Sequence, residues 1–340
     1  MDKVAVVILN WNGCELLKQF LPSVVSYTEQ DGGVVYVADN GSDDASLQLL
    51  HEMFTTVGII ALNRNYGFAE GYNRALEEVD AEYVVLLNSD VEVTEHWLLP
   101  LLDFMDSHPK AAASQPKLRS WHQKEAFEYA GASGGFLDHY GYPYCRGRIM
   151  SAVERDEGQY DDIIPVAWAT GAALFIRLAD YKQVGGLDGN FFAHMEEVDL
   201  CWRLWSSGKE VYCVPQSVVY HVGGGTLQKE NPRKTFLNFR NNLLMLYKNL
   251  PNDRLKSVMA VRAVLDYVAA LSFLLKGEWR SAWMVVKARQ AFRGLRKDYA
   301  SFRSKMQHLG DVRLPFFRER DCILWSYYLK RIRKYSDLDK

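Results

Sequence analysis

The sequence predicts an α/β fold with a mostly parallel sheet, followed by a helical C-terminal extension. Four apolar runs with strand character recur about every 25 to 30 residues in the first ninety positions. Stretches with apolar residues at helical spacing lie between them, so strands and helices alternate as in βα units of a right-handed sheet. The strand-like runs are 4–9, 34–38, 58–62 and 83–87, and the helical stretches are 15–27, 45–54 and 69–79.

The length of the chain predicts one large domain with an appendage. At 340 residues with 48% apolar residues, the chain can bury a substantial core and is long for a single domain. We expect one domain over 1–250 and a basic helical extension over 251–340, because the pattern after Pro251 is helical. The segment 121–164 is rich in glycine, tyrosine and charged residues, which predicts an insertion or lid outside the core.

Cysteine usage and the N-terminus favour a protein of the reducing cytoplasm. The five cysteines are scattered and form no C-x-x-C pair, which argues against a disulfide framework and a structural zinc site. The first residues lead straight into a strand-like run with no signal-peptide pattern, so we expect a protein that is not exported. The net charge of -2 conceals a basic tail, since 276–340 holds about 17 Lys and Arg against 7 Asp and Glu.

A polar tripeptide ends the fourth strand-like run. Asn88, Ser89 and Asp90 follow that apolar run directly. Parallel sheets bind ligands at the carboxyl ends of their strands, so Asp90 is placed where a divalent cation and a phosphate can meet. The alternative is a polar turn without a ligand.

Three carboxylates cluster in the segment 191–203. Glu196 and Asp199 are three residues apart and share a helix face, while Glu197 projects from another. One reading is structural, with acidic residues favouring the start of a helix and Asp199 pairing with Arg203. The other is catalytic, with one carboxylate removing the proton of an acceptor hydroxyl.

A histidine ends a further strand-like run. His221 precedes the glycines 223–225, so a ligand could approach the backbone beside its ring. A structural histidine is the alternative. Together with Asp90, its imidazole offers the nitrogen and oxygen donors that suit Mn²⁺ or a related divalent ion.

Six motifs follow one another along the chain, namely the segments 6–12, 37–43 and 65–73, the Asn88-Ser89-Asp90 turn, the acidic cluster and His221. In this order they resemble the motifs of inverting family 2 glycosyltransferases, whose GT-A fold is a Rossmann-like mixed sheet flanked by helices. The resemblance is strongest to the bacterial rhamnosyltransferase-like branch and covers about residues 4 to 250.

The resemblance implies a set of donor-binding residues. Asp39 would bind the nucleobase, the loop of Asn65, Gly67 and Asn73 would flank the ribose and diphosphate, and Asp90 and His221 would bind the metal. Asn88 replaces the first aspartate of a D-x-D motif, so metal binding would also use the diphosphate and water. Arg240 would reach the diphosphate, or would belong to a solvated basic helix start. The expected donor-site residues are Asn10, Asn12, Asp39, Asn65, Gly67, Asn73, Asn88, Asp90 and Arg240.

The resemblance also implies the general base. Glu196 and Glu197 match an acidic pair whose second member, usually aspartate, deprotonates the acceptor. We expect Glu197 to be the base, with Glu196 and Asp199 as the alternatives. The stretch 169–172 resembles one that lines the acceptor side, 121–164 would be an acceptor lid, and Trp168 would stack on a sugar or pack in the core.

The expected function is metal-dependent, inverting transfer of a sugar from a nucleoside-diphosphate sugar, such as dTDP-rhamnose. The acceptor would be a hydroxyl of a cell-surface glycan or a lipid-linked glycan, and the cofactor would be Mn²⁺ or Mg²⁺. A nucleotidyltransferase acting on sugar phosphates and a catalytically silent nucleotide-sugar-binding protein are the alternatives. The first strand lacks the G-x-G-x-x-G of dinucleotide-dependent oxidoreductases, and the acidic body disfavours nucleic-acid binding.

One apolar stretch raises the question of membrane contact. The run 258–275 has nearly the length of a membrane span, but it contains Arg262 and Asp266 at i,i+4. This pair favours an interfacial or protein-packed helix. With the basic tail, it predicts peripheral attachment to an anionic membrane at the inner face of the plasma membrane.

Overall fold

A computed structural model describes residues 1–223, 231–308, 317–318 and 322–338. Two of the glycines after His221 lie outside the described residues. The cysteines are all described, and none is in a disulfide.

The first ninety residues alternate between strand and helix as predicted. All four predicted strands and all three predicted helices are present. In order they are β1 Asp2–Asn10, α1 Cys14–Gln30, β2 Val34–Asp39, α2 Ser46–Met53, β3 Gly58–Ala61, α3 Gly67–Ala75 and β4 Ala81–Asn88.

The middle of the chain adds nine strands and three helices. In order they are β5 Val91–Val93, α4 Leu99–Ser107, β6 Ala111–Ser120, β7 Gly135–Asp138, β8 Pro143–Cys145, β9 Arg148–Ile149, β10 Ala152–Val153, β11 Ile164–Pro165, β12 Ala173–Arg177, α5 Leu178–Gln183, α6 Glu196–Ser206 and β13 Glu210–His221. The strand-like run that ends at His221 is the last part of the strand β13, which is irregular between Val214 and Val218.

The main sheet has nine strands and is mixed. Its order is β11-β13-β6-β12-β4-β1-β2-β3, with β5 paired to β13. β1 is parallel to both β2 and β4, whereas β12 is antiparallel to β4 and β6. The carboxyl ends of β1, β2 and β4 therefore meet at one edge, where the candidate site lies.

Both faces of the sheet are covered, which explains the nearly continuous apolar strands. Val6 and Ile8 of β1 belong to the core cluster that also contains Leu17 of α1. Ala5 and Val7 belong to the cluster on the other face, which includes Tyr72 of α3. Alternate residues of one strand thus pack against different helices.

The segment 121–164 is part of the core, contrary to the expectation from its composition. It contributes the four strands β7 to β10 to a second, five-stranded sheet of order β10-β9-β8-β7-β14, in which β14 is Phe317–Arg318. Phe127, Phe136 and Tyr144 are buried there. The glycines admit large neighbours: a Cβ on Gly135 would lie 2.1 Å from the ring of Trp168. Glycine-rich composition here reflects close packing; the role as an acceptor lid stays a prediction.

The chain after His221 is mainly helical and carries the last strand of the second sheet. Its elements are α7 Pro232–Asn249, α8 Asn252–Leu275, α9 Trp279–Leu295, α10 Ala300–His308, β14 Phe317–Arg318 and α11 Ile323–Tyr328. The predicted pair in α8 is present, with Arg262 Nη2 3.4 Å from Asp266 Oδ1. Within the described part of the chain, α8 alone is long and apolar enough to cross a membrane, judged by length and composition.

Candidate functional site

Three parallel strands bring the predicted polar residues to one edge of the sheet. Asn10 at the end of β1 lies opposite Asp39 at the end of β2. On the other side of β1, Leu9 lies opposite Asn88 at the end of β4. Sequence spacing alone placed these residues on separate loops, and the sheet register makes them neighbours.

Asp39 uses both carboxylate oxygens to connect two of these loops. Asn10 Nδ2 donates to its Oδ2 at 3.1 Å, and the backbone N–H of Ser42 donates to its Oδ1 at 2.9 Å. Ser42 Oγ in turn accepts from the backbone N–H of Asn12 at 2.9 Å. Asp39 is fully buried, and Asn10 Oδ1 is buried without a hydrogen bond. The loops after β1 and β2 therefore form one rigid rim with an unused acceptor.

Asn40, which the sequence analysis did not single out, joins the rim to the loop after β3. Its Nδ2 donates to the carbonyl of Gly67 at 3.1 Å and to Asn65 Oδ1 at 3.3 Å, and its Oδ1 accepts from the N–H of Tyr66 at 3.0 Å. Its position directly after Asp39 in the sequence could have indicated that Asn40 belongs to the site. Gly67 has φ +80°, and a Cβ there would lie 2.5 Å from the ring of Phe192.

Two of the predicted contact residues have their polar atoms bonded within the protein. Asn73 donates to the carbonyl of Leu187 at 2.7 Å, and its oxygen accepts from the hydroxyl of Tyr181 at 2.6 Å. Trp168 is buried, and its Nε1 donates to the carbonyl of Phe136 at 2.9 Å. Their polar atoms are engaged inside the protein, which favours a structural role for both.

Asp90 and His221 are in direct contact. The strand β5 pairs antiparallel with β13 so that Val91 lies opposite His221. His221 Nε2 lies 3.1 Å from Asp90 Oδ1 and 3.4 Å from Asn88 Nδ2. Residues 131 positions apart thus form one polar cluster, and β5 is the element that joins them.

A second carboxylate, which the sequence analysis missed, lies on the other side of His221. Glu128 Oε2 is 3.4 Å from His221 Nδ1, as an ion pair without a hydrogen bond. Burial by itself would lower the pKa of His221, but the charges of Glu128 and Asp90 outweigh burial and raise it to about 10. Glu128 lies in the segment 121–164, where sequence offered no signal for it.

This cluster offers suitable donors for a divalent cation but not a complete site. Asp90 and His221 provide an oxygen and a nitrogen, the donors that Mn²⁺ accepts. No group of three His, Cys, Asp or Glu side chains in the described ranges is arranged to hold a metal ion. A cation at Asp90 would need further ligands from a substrate or water. Asp90 and Glu128 favour positive charge at this place, which fits a cation, and His221 would lose its proton to offer a nitrogen ligand.

The acidic pair begins α6 with carboxyl oxygens that lack partners. Oε2 of Glu196 and Oε2 of Glu197 are buried and make no hydrogen bond. Burial raises the pKa of Glu197 to about 7. The pKa of Glu196 is raised well above its usual value by burial and by the charge of Glu197. Near neutral pH, Glu197 is therefore the member of the pair that can lose and regain a proton.

Asp199, the third candidate base, is held by a buried network. Arg203 Nε and Lys248 Nζ donate to its Oδ2 at 2.9 and 2.8 Å, and Asn249 Nδ2 donates to its Oδ1 at 2.8 Å. Burial would raise the pKa of Asp199, but the charges of Lys248 and Arg203 keep it below its usual value. A base needs an oxygen free to accept a proton, so this geometry supports the structural reading of Asp199.

An unusual backbone precedes the acidic pair. Phe192, His194 and Met195 have φ of 63°, 71° and 73°, a region costly for residues other than glycine. Asn241 of α7 is fully buried, and its Nδ2 lies 2.8 to 2.9 Å from the carbonyls of Phe191, Ala193 and His194.

Arg240, a predicted diphosphate contact, helps to hold the same segment. Its Nη2 donates to the carbonyls of Asn190 and Phe191 at 2.7 and 3.1 Å, and its Nε donates to Asn241 Oδ1 at 2.8 Å. The structure therefore gives Arg240 and Asn241 a common task, which is to fix the turn that presents Glu196 and Glu197.

The segment 170–172 connects the acidic pair with the edge of the sheet. The N–H of Asn88 donates to the carbonyl of Ala172 at 3.0 Å. One residue earlier, a Cβ on Gly171 would lie 3.7 Å from Cβ of Glu197. Glu197 and the polar turn that begins at Asn88 therefore both adjoin this three-residue stretch, although 107 positions separate Glu197 from Asp90 in sequence.

Comparison with known proteins identifies the family. Residues 5–146 match the family model described as "Glycosyl transferase family 2", and they include the rim, Asn88, Asp90 and Glu128. Residues 5–146 of this chain form a family 2 glycosyltransferase domain. The recognition from sequence motifs is thus confirmed.

Curated relatives of this glycosyltransferase include rhamnosyltransferases. The N-acetylglucosaminyl-diphospho-decaprenol L-rhamnosyltransferase of Mycobacterium tuberculosis is 29% identical over 238 residues, covering 65% of this chain and 76% of the relative. The rhamnosyltransferase WbbL of Escherichia coli (strain K12) is 26% identical over 163 residues, covering 46% of this chain and 61% of the relative.

Solved structures support the expected GT-A fold. The crystal structure of GalNAc-T7 with UDP, GalNAc and Mn²⁺ superposes with a TM-score of 0.57 at 15% identity, covering 72% of this glycosyltransferase. The match spans 48% of that chain, about half its length. The mixed sheet with flanking helices is the shared feature.

Proposed function

We propose that this glycosyltransferase moves a sugar from a nucleoside-diphosphate sugar to an acceptor hydroxyl with inversion at the anomeric carbon. The observation that carries the proposal is the position of Glu197, whose Oε2 is buried without a hydrogen bond and whose Cβ lies beside the segment 170–172, which also contacts Asn88. We assign donor binding and catalysis to residues 1–250 and regard 251–340 as the extension.

The donor would lie at the edge where β1, β2 and β4 end. Asp39 and Asn10 hold the rim on which the nucleoside would rest, with Asn12 and Asn65 in the loops beside it. Asp90 and His221 would hold a divalent cation, Mn²⁺ or Mg²⁺, together with diphosphate oxygens. Such an ion, when bound, stabilises the negative charge on the departing diphosphate.

Glu197 would act as the general base. Its carboxylate accepts the proton of the acceptor hydroxyl while that oxygen forms a bond to the anomeric carbon, and the bond from this carbon to the diphosphate oxygen breaks. Attack from the face opposite the leaving group inverts the configuration. A pKa of about 7 leaves Glu197 largely ionised at slightly alkaline pH, yet basic enough to take a proton.

We further propose dTDP-rhamnose as the donor and a lipid-linked glycan as the acceptor. The support is the name of the mycobacterial relative, an L-rhamnosyltransferase that acts on a diphospho-decaprenol compound. Work on a lipid-linked acceptor would take place at the inner face of the plasma membrane.

Thermal unfolding with a panel of nucleoside diphosphates and their sugars, with and without Mn²⁺, tests the donor site. We expect dTDP-rhamnose to raise the melting temperature most, and more strongly with Mn²⁺. If no nucleotide raises it, the donor site is wrongly assigned.

The variant Glu197→Gln tests the base. It should retain donor-induced stabilisation and lose transfer by about 10² to 10⁴-fold, the usual contribution of a general base. Glu196→Gln is the matched control, one residue away in the same pair. Transfer that survives in Glu197→Gln and is lost in Glu196→Gln would assign the base to Glu196.

A further inference from the structure

From Arg262 to its end, the helix α8 buries two charged side chains and exposes large apolar ones. The buried stripe consists of Val258, Arg262, Asp266 and Ala270, of which two are charged. The outward face carries large apolar side chains, with Leu271 56% and Leu275 82% exposed. The others on this face are Val264, Tyr267, Val268 and Leu274. A helix on the surface of a protein surrounded by water shows the reverse arrangement.

The inward charges of α8 are satisfied within the protein. Asp266 is paired with Arg262 and, through its other oxygen, with Arg289 of α9. Arg262 also donates to the carbonyl of Tyr140 at 3.0 Å and to the side chain of Asn242. These contacts fix which face of α8 looks outward. They also count against α8 spanning a bilayer, because crossing would take Arg262 and Asp266 away from these partners.

The apolar face continues onto the start of α9, where aromatic and basic side chains alternate. Trp279 and Trp283 are 63% and 50% exposed. The guanidinium of Arg280 lies 5.2 Å from the ring centre of Trp279, and the ammonium of Lys287 lies 5.9 Å from that of Trp283. Between positions 267 and 297 the sequence has seven Lys and Arg and one Glu. Tryptophan beside basic residues is typical of segments at the boundary of an anionic membrane.

We propose that the outward face of α8 with the first turns of α9 docks onto an anionic lipid leaflet, lying in its headgroup region. This goes beyond the proposed transfer reaction, and it narrows the membrane contact that the sequence predicted for the run 258–275 and the basic tail to one defined surface. A second copy of the chain fits less well, because a two-fold contact through this face would bring the basic side chains of both copies together. The carbonyl of Tyr140 contacts Arg262 on the inner side of α8. Docking through the outer side would therefore place this carbonyl about one helix diameter, roughly 10 Å, from the lipid.

Flotation with vesicles tests the surface, using vesicles of phosphatidylcholine with and without phosphatidylglycerol. The wild-type protein should float with the anionic vesicles. The double variant Leu271→Glu, Leu275→Glu should lose at least about tenfold in bound fraction, because it puts carboxylates against an anionic, apolar boundary. Met53→Glu is the matched control, since Met53 is an exposed apolar residue of α2 outside this face. It should float like the wild type.

Several outcomes would overturn the proposal. The first is that the wild-type protein does not float with anionic vesicles. The second is that the double variant floats as well as the wild type. The third is that the wild type is a dimer, the double variant is a monomer, and neither floats. If the double variant does not fold, quenching by brominated lipid decides. It should reduce the tryptophan fluorescence of the wild type and spare that of Trp279→Phe, Trp283→Phe; equal quenching in both would contradict docking. Neither measurement uses donor or acceptor. Their results therefore test membrane docking independently of the proposed transfer reaction.

Discussion

The pH dependence of sugar transfer should follow the ionisation of Glu197. Its pKa of about 7 results from burial of a carboxyl with an unpaired oxygen. Because a base must be ionised, kcat/KM should rise as the pH passes through about 7. Two pH units lower, about 1% of Glu197 is ionised, so the rate should fall about 100-fold.

The assay is release of nucleoside diphosphate at saturating metal, with donor affinity measured separately at each pH. Glu196→Gln should keep the limb near pH 7, because burial and not the charge of Glu196 is the main cause of the shift in Glu197. A flat profile between about pH 5 and 8, or the same limb in the residual activity of Glu197→Gln, would refute the assignment.

The same shift predicts an effect on stability, with a sign that can be checked. The folded state raises the pKa of Glu197 from 4.5 to about 7, so it binds more protons than the unfolded state between these values. Stability is therefore lost as the pH rises through this range. Glu197→Gln should be more stable than the wild type at about pH 8 and lose this difference near pH 4, as measured by urea unfolding. The opposite sign would mean that the carboxylate has a favourable partner in the fold.

Three further variants probe the shell around the site. Asn241→Ala removes the hydrogen bonds to the turn before α6. It should lower kcat more than donor affinity and destabilise the fold by about 1 to 3 kcal/mol. A variant with the kcat of the wild type would contradict a positioning role for Asn241. Lys248→Met leaves Asp199 with fewer cations in a buried network and should cost about 3 to 5 kcal/mol in chemical unfolding; a change below about 1 kcal/mol would contradict the network. Gly67→Ala should be destabilised by more than about 1 kcal/mol, because φ is +80° and its Cβ would overlap Phe192, and normal stability would show that the loop can shift.

Local pattern predicted the first ninety residues well, because each βα unit carries its own apolar periodicity. The same reasoning failed for 121–164, where glycine and tyrosine suggested a surface insertion. Glycine frequency records close approach of a neighbour as well as exposure, and only the packing of Trp168 on Gly135 distinguishes the two.

The sequence predicted individual residues of the candidate site, and the structure shows which of them are in contact. Sequence singled out Asp90, His221 and Glu197 but could not choose among the three carboxylates. Their chemical types are the same, and what separates Asp199 from the pair is its set of partners, Lys248 and Asn249 of α7 and Arg203 of α6. Glu128 and Asn241 were missed, since each acts through a partner distant in sequence.

The sequence by itself determined the alternation of strands and helices, the polar residues at strand ends and, through ordered motifs, the family. Tertiary structure alone decided which of these residues meet, which carboxyl keeps a free oxygen, and which face of α8 looks outward. The reason is physical: periodicity and residue type are local properties, whereas pKa and exposure depend on neighbours that the fold brings from far along the chain. The helix α8 shows this most clearly. Its sequence does not say which face is buried, and Arg262 and Asp266 face inward because Arg289, Tyr140 and Asn242 provide their partners there.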